Sequence, residues 1–174
     1  MTALPAPIDT TTFRHFGGDA DFVGMVDMLR AASRYDGVQR HHSVEELTHS
    51  YRNLSNCNLD TDLLIAERAG AVVGYSRVTW FVEEATNDRV LLQVGWTHPD
   101  VRPLGVAETM LQWCESRLGE IAGQLTHSGR DSLAAYAEIA ETDRLAVLAD
   151  AGYEITQTYE EMTRSLTEPI AEHA

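Results

Sequence analysis

The spacing of apolar positions changes period twice along the chain, and those changes divide it into elements. In "ADFVGMVDMLRAASRY", Phe22, Met25, Val26, Met28 and Leu29 fall at helical spacing, with Asp21 near the start where an acid suits the helix dipole. "SVEELTHSYRNL" keeps that period, with Val44, Leu47, Tyr51 and Leu54 on one face behind the S-x-x-E capping pattern of Ser43 and Glu46. The period then shortens. "DLLIAER" and "AVVGYSRVTWFVE" read as strands joined at Ala69-Gly70, and "ATND" is a turn before a third strand, "RVLLQVGWT". Past Pro99 and a Pro103/Gly105 kink, Val106, Met110, Cys114, Leu118 and Ile121 line one face of a helix of about four turns that ends near Ala122. "THSGRD" is a loop, and "SLAAYAEI" is a strand candidate left ambiguous by its alanines. "ETDRLAVLADAG" is a short helix stopped by Gly152, and "YEITQTYEEMTRSL" is a closing extended segment.

This order predicts a mixed α/β domain over residues 13–166, built on a strongly bent central sheet flanked by helices. Residues 1–12, rich in Pro and Thr, read as a loose lead-in. Residues 167–174, "TEPIAEHA", have the composition of a linker, which raises a second domain beyond them.

Composition narrows the function classes. The 174 residues are 44% apolar, enough for a core. A formal charge of −14 leaves no basic stripe for a phosphate backbone, so a nucleic-acid partner is not expected, and a cationic substrate is compatible. Cys57 and Cys114 are too few and too far apart for a disulfide framework, and Cys114 reads as a reduced thiol inside an apolar helix face. The start "MTALPAPIDTTTF" has no signal-peptide pattern, and no stretch is long enough to cross a membrane. A cytoplasmic protein without a membrane partner is therefore expected.

The transition from strand to helix carries the candidate chemistry. The first N–H groups of a helix lack intrahelical partners and sit at the positive end of the dipole. In "RPLGVA" Gly105 permits close approach of a backbone, Ala107 keeps the first turn slim, and Arg102 adds a charged fork suited to phosphate oxygens. Together they read as a cradle for a pyrophosphate, set against the plainer possibility of a simple turn.

Thr97-His98-Pro99 followed by Arg102-Pro103-Leu104-Gly105-Val106-Ala107 resembles the coenzyme-A motif of the GCN5-related N-acetyltransferase (GNAT) family, a Q/R-x-x-G-x-G/A sequence after a strand and a V-x-P element. A second resemblance is the helix ending in Gly152-Tyr153 before a last strand. More narrowly, the chain looks like the N-terminal half of tandem, mycothiol-synthase-like members. The resemblance implies acetyl-CoA as cosubstrate, no metal, and direct acetyl transfer to the amine of a small acceptor. Gly95, Trp96 and Thr97 would run beside the pantetheine arm, and amides from Leu104 through Ala107 would hold the pyrophosphate. Pro103 has no N–H to give. A bulged strand amide near Thr97 is expected to serve the thioester oxygen.

The same resemblance exposes three departures. The usual glutamate base falls on Leu91, the usual tyrosine acid on Leu148, and a common asparagine on Glu141. Glu83 is a substitute base, or with Glu84 a solvated hairpin end. Tyr136 is a substitute acid, or a packing residue. His98 is expected to pack in its turn. His41, His42 and His49 have no carboxylate or thiol at ligand spacing, so a metal is not expected. Trp80, Trp96 and Trp113 read as core or cleft-wall residues. Beside an active transferase stand two alternatives, a cofactor-binding or structural half of a tandem protein and an unrelated α/β ligand-binding domain. A homodimer or a second GNAT domain would be the protein partner.

Overall fold

The computed structural model describes residues 2–39, 42–160 and 162. Strand β1 (Thr11–His15) leads into helix α1 (Ala20–Asp36), helix α2 (Val44–Arg52) and the single turn α3 (Leu59–Asp62). Strands β2 (Leu63–Arg68), β3 (Ala71–Val82) and β4 (Arg89–Thr97) follow. A 3₁₀ turn (Pro99–Leu104) then enters helix α4 (Val106–Gln124), strand β5 (Asp131–Ala135) and helix α5 (Thr142–Asp150).

The five strands form one sheet in the order β1-β2-β3-β4-β5. The first four are antiparallel and β5 runs parallel to β4. A parallel neighbour needs a crossover, and α4 supplies it. The Ala69-Gly70 turn between β2 and β3 has positive φ at both residues, 49° and 78°, the twist that a two-residue hairpin requires.

Two hydrophobic clusters cover the two faces of the sheet. On one, Val106, Met110, Trp113, Cys114, Leu118 and Ile121 of α4 pack on Leu64, Val78 and Leu91. On the other, Phe22, Met25, Met28 and Leu29 of α1 pack with Tyr51 on Leu63, Ile65 and Tyr75. Alternation along the strands assigns neighbours to opposite faces, as a period of two demands. At the start of α2, Ser43 Oγ accepts from Glu46 N at 3.1 Å and donates to the Glu46 carboxylate at 2.8 Å, so the capping residues act as expected.

Two elements differ from the sequence reading. β1 lies partly in the stretch expected to be loose, with Thr11 and Phe13 buried against β2. Five residues at a sheet edge leave too few alternations to register as a pattern. The closing strand expected over 153–166 is not formed in its described part. Among the described residues, 153–160 make no strand pairing, and Ile155 and Tyr159 stay 80% and 74% exposed. Alternating β-formers show a face, whereas a strand also needs ladder hydrogen bonds, and among the described residues none join this segment to β5. Glu161 and residues 163–174, including the expected linker, lie outside the described residues, as does His41.

Candidate functional site: a cleft where two parallel strands part

β4 and β5 are joined at one end and open at the other. Arg89, 3% exposed, donates to Asp131 at 2.8 and 2.7 Å and to the carbonyls of Ala122 and Leu125 at 3.2 Å. That guanidinium ties the start of β4 to β5 and the end of α4. Pairing runs from Arg89↔Asp131 to Gln93↔Ala135 and stops. Beyond Gln93 the strands part, and a cleft of about 400 Å³ opens between β4, α4 and α5. Ser76, Gln93 and Gly95 form its floor, Met110 and Leu111 one wall, and Val147 and Leu148 the other.

Strand geometry fixes what β4 presents to this opening. His98 donates to the Val73 carbonyl at 2.7 Å, so His98 and Trp96 turn their backbone groups toward β3. Gly95 and Thr97 therefore turn theirs toward the gap. Both carbonyls already accept from arginines. Arg144 of α5 donates Nη1 to Gly95 O, and Arg102 donates Nε to Thr97 O at 3.5 Å. Arg144 also donates to the Tyr136 carbonyl at 3.1 Å and lies over the Trp96 ring at 5.6 Å.

The mouth is formed by the 3₁₀ turn and the start of α4. Gly105 has φ +78° and nothing within 4 Å of the position a Cβ would take, and no side chain caps the helix. The glycine is thus required by its left-handed backbone, in addition to leaving open space above the first turn. Pro103 and Ala107 line the cleft, Leu104 packs against the core, and Val106 is fully buried. The Arg102 fork is engaged by protein. It donates to both oxygens of Asp36, at the end of α1, at 2.6 and 2.7 Å, and to Asp143, in the first turn of α5, at 3.0 Å. Its face covers the Tyr35 ring at 5.0 Å. The Asp36 bonds hold the Arg102 guanidinium above its usual pKa against the opposing effect of burial, and Asp143 adds to them.

Glu141, 3% exposed, accepts from Trp96 Nε1 and from Glu138 N, each at 2.8 Å. The carboxylate thereby fixes a cleft-wall indole. Leu91 is core and Leu148 is a buried part of the cleft wall, so neither expected acid–base position holds a titratable group.

The two substitute candidates are not brought together. Glu83 is exposed in the β3–β4 hairpin, where its carboxylate accepts from Thr86 at 3.2 Å. That hairpin is at the Arg89 end of β4, roughly 20 Å from Gly95 at about 3.3 Å of rise per residue. The sequence reading set Glu83 beside the cleft because it named the right strand and the wrong end. Tyr136 follows β5 at the edge of the gap, but its side chain is 57% exposed and does not line the cleft. The bulge expected near Thr97 is also absent, since the β3–β4 register runs unshifted from Gly74↔Thr97 to Val82↔Arg89.

His98 Nδ1 accepts from Asp100 N at 3.3 Å and so closes its turn. Cys114 is fully buried beside Ser76, and burial pushes its thiol up to about 12. Among the described residues, no group of three His, Cys, Asp or Glu is placed to hold a metal, and no helix is long and apolar enough to cross a membrane.

Asp36, Asp143 and Arg144 were not singled out from sequence. Asp143 and Arg144 sit in the first turn of a helix, and only that position signals them. Asp36 is separated from Arg102 by 66 residues, and nothing local connects the two.

A mixed sheet flanked by helices, with a parallel pair parting over a cleft, defines the GNAT fold, and the chain has that fold. Compared with solved structures, it is similar to a GCN5-related N-acetyltransferase from Sphaerobacter thermophilus (TM-score 0.70, 20% identity over 87% of this chain and 45% of that one). It is also similar to a protein from Clostridium acetobutylicum described as a predicted acetyltransferase, solved with acetyl-CoA (TM-score 0.63, 17% identity, 88% of this chain and 96% of that one). A third is an aminoglycoside acetyltransferase from an uncultured soil metagenomic sample, in complex with sisomicin (TM-score 0.59, 9% identity, 91% and 97%). The chain thus spans less than half the length of the Sphaerobacter protein. No family model and no curated protein matches the sequence.

Proposed function

We propose that the chain is an acetyl-CoA-dependent N-acetyltransferase that acylates the amine of a small acceptor. The observation that carries this reading is the gap between β4 and β5 opening on a cleft whose mouth is the uncapped start of α4. The fold is shared with a protein solved with acetyl-CoA and with an aminoglycoside acetyltransferase.

In this reading the backbone groups of Gly95 and Thr97 hold the pantetheine arm by adding it along β4, while Trp96 between them, whose backbone is turned to β3, contributes its indole to the cleft wall. Backbone amides at the start of α4, with Arg102, hold the diphosphate. Acetyl-CoA supplies the activated acyl group when bound. The chain itself supplies orientation and a partly apolar wall from Met110, Leu111 and Leu148. With leucines at both expected acid–base positions, the acceptor's proton leaves through water, and an amine that arrives partly neutral is favoured. The charge of −14 supports a cationic acceptor.

Titration calorimetry with acetyl-CoA, paired with a thiol-release assay over a panel of small amines, tests the reading. Binding with release above the no-enzyme rate supports it, and absence of binding overturns it. Binding without release supports a second reading, a cofactor-binding but catalytically weak half of a tandem protein. That second reading is favoured by Leu91 and Leu148 and by the 45% coverage of the Sphaerobacter chain.

A further inference from the structure

Resting on the acetyl-CoA reading, we propose that Asp36 and Asp143 set cofactor affinity by competing with the diphosphate for Arg102. Every donor-bearing edge of that guanidinium is directed at protein: the fork at Asp36, Nη1 also at Asp143, and Nε at the Thr97 carbonyl. Its side chain is 13% exposed and that of Asp36 is 4% exposed, so little solvent screens their contact.

The positions of the two acids give them different roles. Asp36 ends α1, where the dipole disfavours a carboxylate, and Arg102 is the charge that compensates it. Asp143 sits in the first turn of α5, where the dipole favours a carboxylate, and it is 47% exposed. It is thus the weaker and more easily displaced of the two. A diphosphate at the start of α4 brings two anionic groups to the same fork, and a guanidinium binds phosphate or carboxylate oxygens by the same paired geometry. Cofactor entry then exchanges one anion for another, with Asp143 leaving first.

The arm's track is held separately. Asp143 and Arg144 are adjacent on α5, and Arg144 occupies Gly95 O, the carbonyl that an added strand would use. Arg144 is held by its own bonds to Gly95 O and Tyr136 O, so exchange at Asp143 alters the cradle and leaves the track in place.

Calorimetric dissociation constants for CoA and for pantetheine, which lacks the diphosphate, test the proposal in the full chain. Asp143→Asn is a conservative change at a half-exposed site and is expected to fold. It should tighten CoA roughly three- to tenfold, the scale of a partly screened ion pair, and leave pantetheine unchanged. Asp150→Asn removes a carboxylate from the same cleft wall that the Arg102 fork does not touch, and should shift CoA affinity less than about twofold. Equal CoA affinity for the wild type and Asp143→Asn overturns the proposal and leaves the acetyl-CoA reading standing. So does an equal gain from Asp150→Asn, or a gain that extends to pantetheine, since either assigns the effect to general charge or to the arm. If neither the wild type nor Asp143→Asn binds CoA, the reading and the proposal fall together.

Discussion

Two helices point their N-termini at the same cleft, and they differ in where their anion comes from. α5 begins with its own carboxylates: Glu141 fixed by Trp96 and Glu138, and Asp143 bound to Arg102. Neither start has a side-chain cap on its own amides, but α4 begins with Gly105 and has in its first turn only the exposed Glu108, for which no ion pair is seen among the described residues. Unpaired N–H groups and a positive dipole end call for negative charge in both places. At α5 that charge is fixed by bonds to protein, through Asp143 on Arg102 and Glu141 on Trp96, whereas at α4 the exposed Glu108 leaves the glycine corner itself open to a ligand. An anion-binding helix start is therefore recognised by what its first turn lacks, as much as by the glycine that precedes it.

Gly105→Val is the strongest test of this contrast. At φ +78° a β-branched residue costs on the order of 2 kcal/mol, so the chemical-denaturation midpoint should fall. A side chain there also projects into the open space above the first turn, and CoA affinity should drop at least about tenfold by calorimetry. The loss of stability follows from the left-handed backbone at Gly105. Gly105→Ala, with less bulk and the same φ, separates the two effects. Stability lost without any loss of affinity would remove α4 from the anion site.

How far this site could be read from sequence depends on the range of each interaction. Helical and strand periods located α1, α2, α4 and β2 to β4, because a buried face repeats every turn or every second residue. The strand-turn-helix over Gly95 to Ala107 was legible for the same reason, since its parts are contiguous. Arg102 was legible as a charge at the right corner, but its commitment to Asp36 depends on how α1 ends against the 3₁₀ turn, and no local spacing encodes that. Glu83 shows the converse error. A strand was recognised, but which end faces the cleft is decided by where β5 stops pairing, at Gln93. The unpaired run over 153–160 shows that alternation identifies a strand's face without identifying its neighbour.

Glu141→Gln probes the self-supplied start of α5. The carboxylate accepts two hydrogen bonds while 3% exposed, and an amide would set one N–H against the Glu138 donor. A loss of about 1–3 kcal/mol in unfolding free energy is expected by urea titration followed on tryptophan fluorescence. CoA affinity should not weaken, in contrast to Gly105→Val. A drop in affinity matching the drop in stability would mean that both helix starts serve the ligand, and the contrast between them would dissolve.

The smallest expected effect is at α1, a third helix start that carries its own anion. Asp21 in its first turn accepts from Arg14 at 2.8 Å through both oxygens and from Gly17 N at 2.7 Å. The Arg14 hydrogen bonds, then that of Gly17, hold the carboxyl below its ordinary value of 3.8 in the folded chain. Between the two values the unfolded chain binds more protons, so this contribution to stability is complete above 3.8 and is lost as the pH falls through the lower, folded value. Asp21→Asn should therefore flatten the acid limb of the stability profile. At neutral pH it should cost about 1 kcal/mol, the upper end of the range for a first-turn acid in a partly exposed ion pair, since Asn still accepts from Gly17 N. Denaturant midpoints at a series of pH values read both quantities. CoA affinity should be unchanged, because this helix start faces Arg14 and not the cleft. An acid limb as steep in Asp21→Asn as in the wild type would assign the acid sensitivity to other carboxylates.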